Sequence, residues 1–214
     1  MDVLTTHAEF LDVNCYAVRA EGRSDCILID AGYDCAPRLE SLLAEAGLVP
    51  QAVFLTHGHP DHILGLNNVL ARWNVPVHLG GPDRYRLQDP ASTLSPQFAP
   101  MLAPLVEGWT APEVSDLTDG QSLETAGLTV TAVSAPGHTE GSMLLRVVDG
   151  DEENIFTGDV VFAGAIGRVD LPGGDAQAMQ DSLRAFATLP DVAIYPGHGP
   201  ASRVGRELAA NPFL

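Results

Sequence analysis

The stretch Thr56-His57-Gly58-His59-Pro60-Asp61-His62 places three imidazoles and a carboxylate within seven residues of a chain that has seven histidines in all. Imidazole nitrogen and carboxylate oxygen are donors that Zn²⁺ binds at about 2.0–2.2 Å. Three further donors stand in turns rich in glycine: Pro136-Gly137-His138-Thr139, Gly158-Asp159 and Pro196-Gly197-His198-Gly199. Four donors in one tight loop cannot all reach a single tetrahedral ion, but they can serve two ions about 3.5–4 Å apart that share ligands. His57, His59 and His138 are assigned to the first ion, and Asp61, His62 and His198 to the second. Asp159, a lone carboxylate in its own turn, is suited to bridge them.

Such a set works only if the backbone brings it together. Each donor follows a short β-type run, at residues 52–55, 128–133, 154–157 and 192–195. Residues this far apart in sequence converge when strand ends lie side by side along one edge of a sheet, where scaffolds present reactive groups. Five of the seven histidines fall in these turns, and only His7 and His78 lie elsewhere. Residues 16–19 and 26–29 read as successive strands joined by the polar, glycine-containing segment 21–25. A helix is expected from about residue 37, with Leu39, Leu42, Leu43 and Ala46 on one stripe and Gly47 to stop it. A second helix begins at Asp175 as its cap, with Met179, Leu183 and Phe186 buried.

Composition narrows the classes. With 214 residues and 45% hydrophobic side chains, the chain is expected to form a single domain over 1–214 with a substantial core. A formal charge of −17 repels the phosphate backbone, which argues against a nucleic-acid partner. No apolar run approaches membrane-span length, and Asp2, Glu9 and Asp12 do not fit a signal peptide, so no membrane partner and a cytoplasmic location are expected. Cys15, Cys26 and Cys35 lack metal-ligand spacing and read as reduced structural thiols. The Pro-rich stretch 81–113 is the one candidate for a large irregular insertion. Within it Phe98, Met101, Leu102, Leu105 and Trp109 can form an apolar lid or complete the core, and core packing is favoured for most of them.

The order T-H-x-H-x-D-H, P-G-H-T, G-D, P-G-H-G resembles the metallo-β-lactamase superfamily, and within it the compact glyoxalase II-like (hydroxyacylglutathione hydrolase-like) enzymes. The likeness runs from Ile29-Asp30-Ala31-Gly32 to the terminal Asn211-Pro212-Phe213-Leu214. It implies a mixed α/β fold, a four-layer αβ/βα sandwich with the metals at one edge between two sheets. It also gives Asp30 a supporting role behind the ligands. One departure from the D-H-x-G-G form is Leu64, which replaces the first glycine before Gly65; neither position is a ligand. The segment Gly167-Arg168-Val169-Asp170-Leu171-Pro172-Gly173-Gly174 is similar to one that lies near the site in compact relatives. That makes Arg168 the substrate-binding candidate, with an ion pair to Asp170 as the alternative.

The activity this resemblance implies is hydrolysis of a small-molecule thioester, of glyoxalase II type, by a metal-bridging hydroxide that Asp61 and Asp159 orient. Two Zn²⁺ per chain are expected, with one Fe²⁺ or a mixed Zn/Fe pair as the alternative. Sixteen residues follow His198, so a helical glutathione-binding domain is not expected and the pocket would depend on 81–113. The chief rival is a persulfide dioxygenase using a single Fe²⁺ on His57, His138 and Asp159. β-Lactam hydrolysis and a non-catalytic metal-binding module rank lower. Composition does not indicate the oligomeric state.

Overall fold

A computed structural model describes residues 1–214, the side chain of Ala99 excepted. Strands β1 (Asp2–His7), β2 (Asn14–Arg19), β3 (Asp25–Ile29), β4 (Val49–Phe54), β5 (Val77–Gly80) and β6 (Ser115–Leu117) form one six-stranded sheet in that spatial order. β1, β2 and β3 pair antiparallel, and β3 to β6 pair parallel. The second large sheet uses β7 (Ser122–Thr125), β8 (Leu128–Ser134), β9 (Met143–Asp149) and β10 (Glu152–Gly158). After a small ribbon of β11 (Val161–Phe162) and β12 (Ala165–Ile166), β13 (Ala193–Pro196) and β14 (Ser202–Arg203) complete it, in the order β14-β13-β10-β9-β8-β7.

Successive strand residues face opposite sides of a sheet, so a strand apolar on every residue must be covered twice. In β3, Cys26 and Leu28 point to an outer core and Ile27 and Ile29 to an inner one. Val53 likewise faces outward and Phe54 inward, while in the second sheet Ile155 faces outward and Phe156 inward. The inner core, with Phe54, Leu145 and Phe156, is where the two sheets meet. Helices α1 (Ala36–Ala46), α2 (Pro60–Ile63) and α3 (Leu66–Trp73) lie on the first-sheet side, where Leu39, Leu43, Leu66 and Val69 close the outer core. After the short α4 (Ala99–Leu102), helices α5 (Ala176–Phe186) and α6 (Val204–Ala210) cover the second sheet through Met179, Leu183, Phe186 and Val204. The result is the four-layer αβ/βα sandwich.

The first helix starts with Pro37 in its opening turn and stops at Gly47, whose φ of 66° is left-handed, as the sequence predicts. Asp175 caps α5 by accepting from the amides of Gln177 and Ala178. Between residues 81 and 102 the chain makes three 3-10 turns and α4 rather than a long helix, which suits a segment interrupted by Pro82, Pro90, Pro96 and Pro100. Of the insertion's apolar side chains, Leu102 is fully buried and Trp109 donates through Nε1 to the carbonyl of Leu87 at 2.8 Å. Phe98 and Met101 instead line a cavity described below. Among the described residues, no helix is long and apolar enough to cross a membrane.

Candidate metal centre

Strand direction explains the convergence. β3 and β4 run parallel in the first sheet, and β8, β10 and β13 share one direction in the second, since β9 is antiparallel to both β8 and β10 while β13 is parallel to β10. Their C-terminal ends therefore open on one edge. Asp30 follows β3, the His57 loop follows β4, His138 follows β8, Asp159 follows β10 and His198 follows β13. A bond from the Met143 amide to the Thr56 carbonyl, 2.8 Å, ties the two sheets together beside the site.

The geometry at that edge is tight. One ligand atom each from His57, His59 and His138 can be chosen so that all lie within 4.8 Å of one another, and the same holds for Asp61, His62 and His198. His59 Nδ1 and His138 Nε2 are 2.8 Å apart. His198 Nε2 stands 3.3 Å from Asp61 Oδ2. Asp159 lies between the two groups: Oδ1 is 3.3 Å from His62 Nε2, and Oδ2 is 3.5 Å from both His138 Nε2 and His198 Nε2. α2, a single turn opened by Pro60, brings Asp61 and His62 to the centre from the loop that carries His57 and His59. All seven are buried except His198, which is partly open. His7 and His78 lie outside: His7 is near Asp12, and His78 stacks on Phe54 with ring centroids 4.8 Å apart.

The second ring nitrogens are fixed by neighbours, which sets tautomer and orientation. His62 Nδ1 meets Asp30 Oδ2 at 2.8 Å, and His57 Nδ1 meets Thr56 Oγ1 at 3.1 Å. Thr56 in turn donates both its amide and its hydroxyl to Asp30, at 2.8 Å each. Asp30 sits at φ 58°, a left-handed conformation that aspartate tolerates better than most residues. His138 Nδ1 meets the carbonyl of Arg168 at 2.8 Å, and His198 Nδ1 meets that of Leu11 at 3.1 Å. The 167–174 loop therefore touches the site through its backbone. The Arg168 guanidinium is held by Asp170, at 2.7 and 2.8 Å, although it also borders the cavity over the site.

Electrostatics fit a cation. Burial first, and neighbouring imidazoles second, push His57 well below the usual histidine range, so its nitrogens stay neutral and available. His59 behaves alike, with burial and His138 as the leading causes. Burial opposes charge on His62 too, but the carboxylates of Asp30, Asp159 and Asp61 outweigh it and raise its pKa well above normal. Burial would raise Asp159, yet His62, His138 and His198 hold it below the ordinary carboxylate range. His57 Nε2, His59 Nε2, His62 Nε2 and Asp159 Oδ1 are buried without a hydrogen-bond partner, a costly state that metal coordination relieves at a site of this donor type.

Two residues with no metal-ligand motif organise the same edge. Asp83, fully buried, accepts from the Gly58 amide at 2.7 Å, the Gly141 amide at 2.8 Å and the Thr139 hydroxyl at 2.7 Å. Arg86, also fully buried, donates from Nε to Asp83 at 3.1 Å and from Nη2 to Glu140 and to the Pro172 carbonyl. This pair joins the His57, His138 and 167–174 loops. Close approach also reserves glycine: a side-chain carbon at Gly167 would strike the Asp159 carbonyl, and one at Gly197 would strike the Asp159 carboxylate.

Residues 8–198 match the family model of the metallo-β-lactamase superfamily, and the chain belongs to that superfamily of metal-dependent, mostly hydrolytic proteins. An uncharacterised protein of Mycobacterium tuberculosis is 34% identical over 212 residues, covering 97% of this chain and 95% of that one. The hydroxyacylglutathione hydrolase GloC of Haemophilus influenzae is 30% identical over 205 residues, covering 94% and 92%. Among solved structures, the BLEG-1 B3 metallo-β-lactamase aligns with TM-score 0.81 at 29% identity, over 100% of this chain and 99% of that one. The TTHA1623 protein in a di-iron-bound form aligns with TM-score 0.79 at 32% identity, over 99% and 100%. ETHE1 from Myxococcus xanthus aligns with TM-score 0.77 at 25% identity, over 99% and 84%.

Proposed function

We propose that the protein is a dinuclear zinc hydrolase that cleaves small-molecule thioesters. The observation that carries the metal part is the convergence of seven donor side chains, four of which keep a buried atom without any hydrogen-bond partner. The thioester part is supported by the likeness to hydroxyacylglutathione hydrolase GloC and by the cavity wall. That wall holds no acid outside the ligand set among the described residues: its remaining ionisable group is Arg168. A thiolate, with a thiol pKa of about 8.5, leaves without a proton, whereas an alkoxide or amine would need one.

Bound zinc supplies a water of lowered pKa and a Lewis acid for the carbonyl oxygen. The chain supplies the rest. His57, His59 and His138 would hold one ion and Asp61, His62 and His198 the other, with Asp159 placed to serve both. Asp61 and Asp159 accept hydrogen bonds from the attacking water and so aim it at the carbonyl carbon. Asp30 holds His62 and Thr56 in place, and the apolar side of the cavity excludes bulk water from the ester carbon. The three buried free cysteines suit a reducing compartment such as the cytoplasm.

Elemental analysis beside hydrolysis of S-lactoylglutathione and simpler thioesters tests this reading. About two zinc per chain with thioester turnover, both lost in Asp159→Asn, is expected; wild-type rate and metal content in that variant would overturn it. The likeness to ETHE1 favours one second reading, a persulfide dioxygenase with a single iron on His57, His138 and Asp159. A single iron per chain with oxygen uptake on glutathione persulfide would support that alternative.

A further inference from the structure

A cavity of about 370 Å³ stands over the ligand cluster. Its floor is polar, formed by His59, Asp61, His138, Asp159 and His198, and its wall is almost wholly apolar. Leu11, Leu94, Phe98, Met101, Phe162 and Leu171 come from four separate segments: the β1–β2 loop, the 81–113 insertion, β11 and the 167–174 loop. Two of them form an open apolar rim, since Leu11 is 53% and Met101 43% exposed. Leu11 and Asp12 form the turn between β1 and β2, both at left-handed φ (58° and 55°), and that turn presents the Leu11 side chain at the rim.

The wall is as informative for the charge it lacks. All eleven cationic side chains of the chain are arginines. Arg168 is the one that borders the cavity, and Asp170 grips it in a two-pronged ion pair. The ligand floor contributes carboxylates, and the formal charge of the chain is −17. An anionic group seated along this wall would meet no free cation among the described residues and would lose its hydration.

We infer that the cavity selects thioesters whose acyl group is an uncharged aliphatic chain, with that chain lying along the wall of Leu94, Phe98, Met101 and Phe162. With the carbonyl at the ligand floor, only one of its two substituents can lie along this wall. Biological thiol carriers are polar and charged, so the acyl group takes the apolar side and the carrier faces solvent beyond Leu11 and Met101. This rests on the thioester reading above and specifies its substrate.

The test uses zinc-loaded full-length protein and a series of N-acetylcysteamine thioesters from acetyl through octanoyl, with S-lactoylglutathione alongside. Calorimetry on the same protein measures binding of the matching ketone analogues, in which a methylene separates carbonyl from sulfur. Each methylene that enters the wall should raise kcat/KM and analogue affinity about 4-fold until the cavity is full. Phe98→Ala and Met101→Asp should flatten that rise, and Met101, being partly exposed, accepts a charge without endangering the fold. A flat or falling series, or S-lactoylglutathione cleaved faster than every aliphatic member, would overturn the inference and leave the thioester reading standing. Chain-length-dependent analogue binding without hydrolysis of any thioester would overturn the thioester reading and leave the apolar specificity standing.

Discussion

Asp30 is the residue on which the two halves of the ligand set most depend, because one carboxylate accepts from both polar hydrogens of Thr56 and orients His62. Groups that position metal-bound histidines typically account for 10–100-fold in affinity. Asp30→Ala should therefore weaken zinc binding by about 10- to 100-fold in a competition titration, with His57, His59 and His198 still present. Unchanged affinity would mean that His62 needs no orienting partner. The seven candidate donors that the structure brings together could be picked out of the sequence because coordination restricts side-chain type and because each follows a strand. The roles of Leu11 and Arg168 toward His198 and His138 were not legible, since each acts through a backbone carbonyl that any residue would supply.

At the scale of elements, the loops that carry ligands are joined by Asp83 and Arg86, which no motif marks. Asp83→Ala would leave the Arg86 guanidinium buried without its one fully buried carboxylate partner and orphan the amides of Gly58 and Gly141. Breaking such a pair costs about 3–5 kcal/mol, to be read as a lower unfolding midpoint in denaturant. The chain hides this partnership because Asp83 binds residues 25 to 58 positions away. Gly167→Ala should shift the Asp159 strand end and lower metal content, while Gly22→Ala, on an open turn, leaves metal content unchanged. A different device fastens the β11–β12 ribbon that carries Phe162. Glu207 on α6 accepts from the Gly164 amide at 2.7 Å, from Asn211 at 3.1 Å and from the Ser202 hydroxyl. Burial would raise its pKa, but these donors lower it below the ordinary value of 4.5. A depressed carboxyl stabilises the fold above its unfolded pKa and loses that contribution as pH falls through the folded value. The stability gap between wild type and Glu207→Gln should thus hold at neutral pH and shrink below about pH 4.5, as measured by denaturant titration across pH.

For the whole molecule, mixed α and β content and a strand-end site could be read from residue patterns, whereas the four layers could not, and came only with the superfamily resemblance. Layering depends on which sheet each strand joins. β6 has three residues, β14 has two, and β1 is only partly buried, so none leaves a strong periodic trace. The observed order, with β13 inserted beside β10 rather than after β12, rests on contacts distant in sequence. The same convergence that builds the site leaves four buried polar atoms without partners, so metal removal should destabilise the entire fold. A ligand that binds only the folded state raises stability with its concentration. Chelation should lower Tm, and added zinc should restore it. Because the imidazoles must be neutral to bind metal, that recovery should fade on acidification.

The metal content of chelated protein reconstituted with zinc, set beside its thioester turnover, is the most direct measurement. About two zinc per chain, bound in parallel with the return of activity and reduced in Asp159→Asn, is the expected result. Protein that binds no zinc, or that reaches full thioesterase activity with one iron and no second ion, would contradict the dinuclear zinc centre.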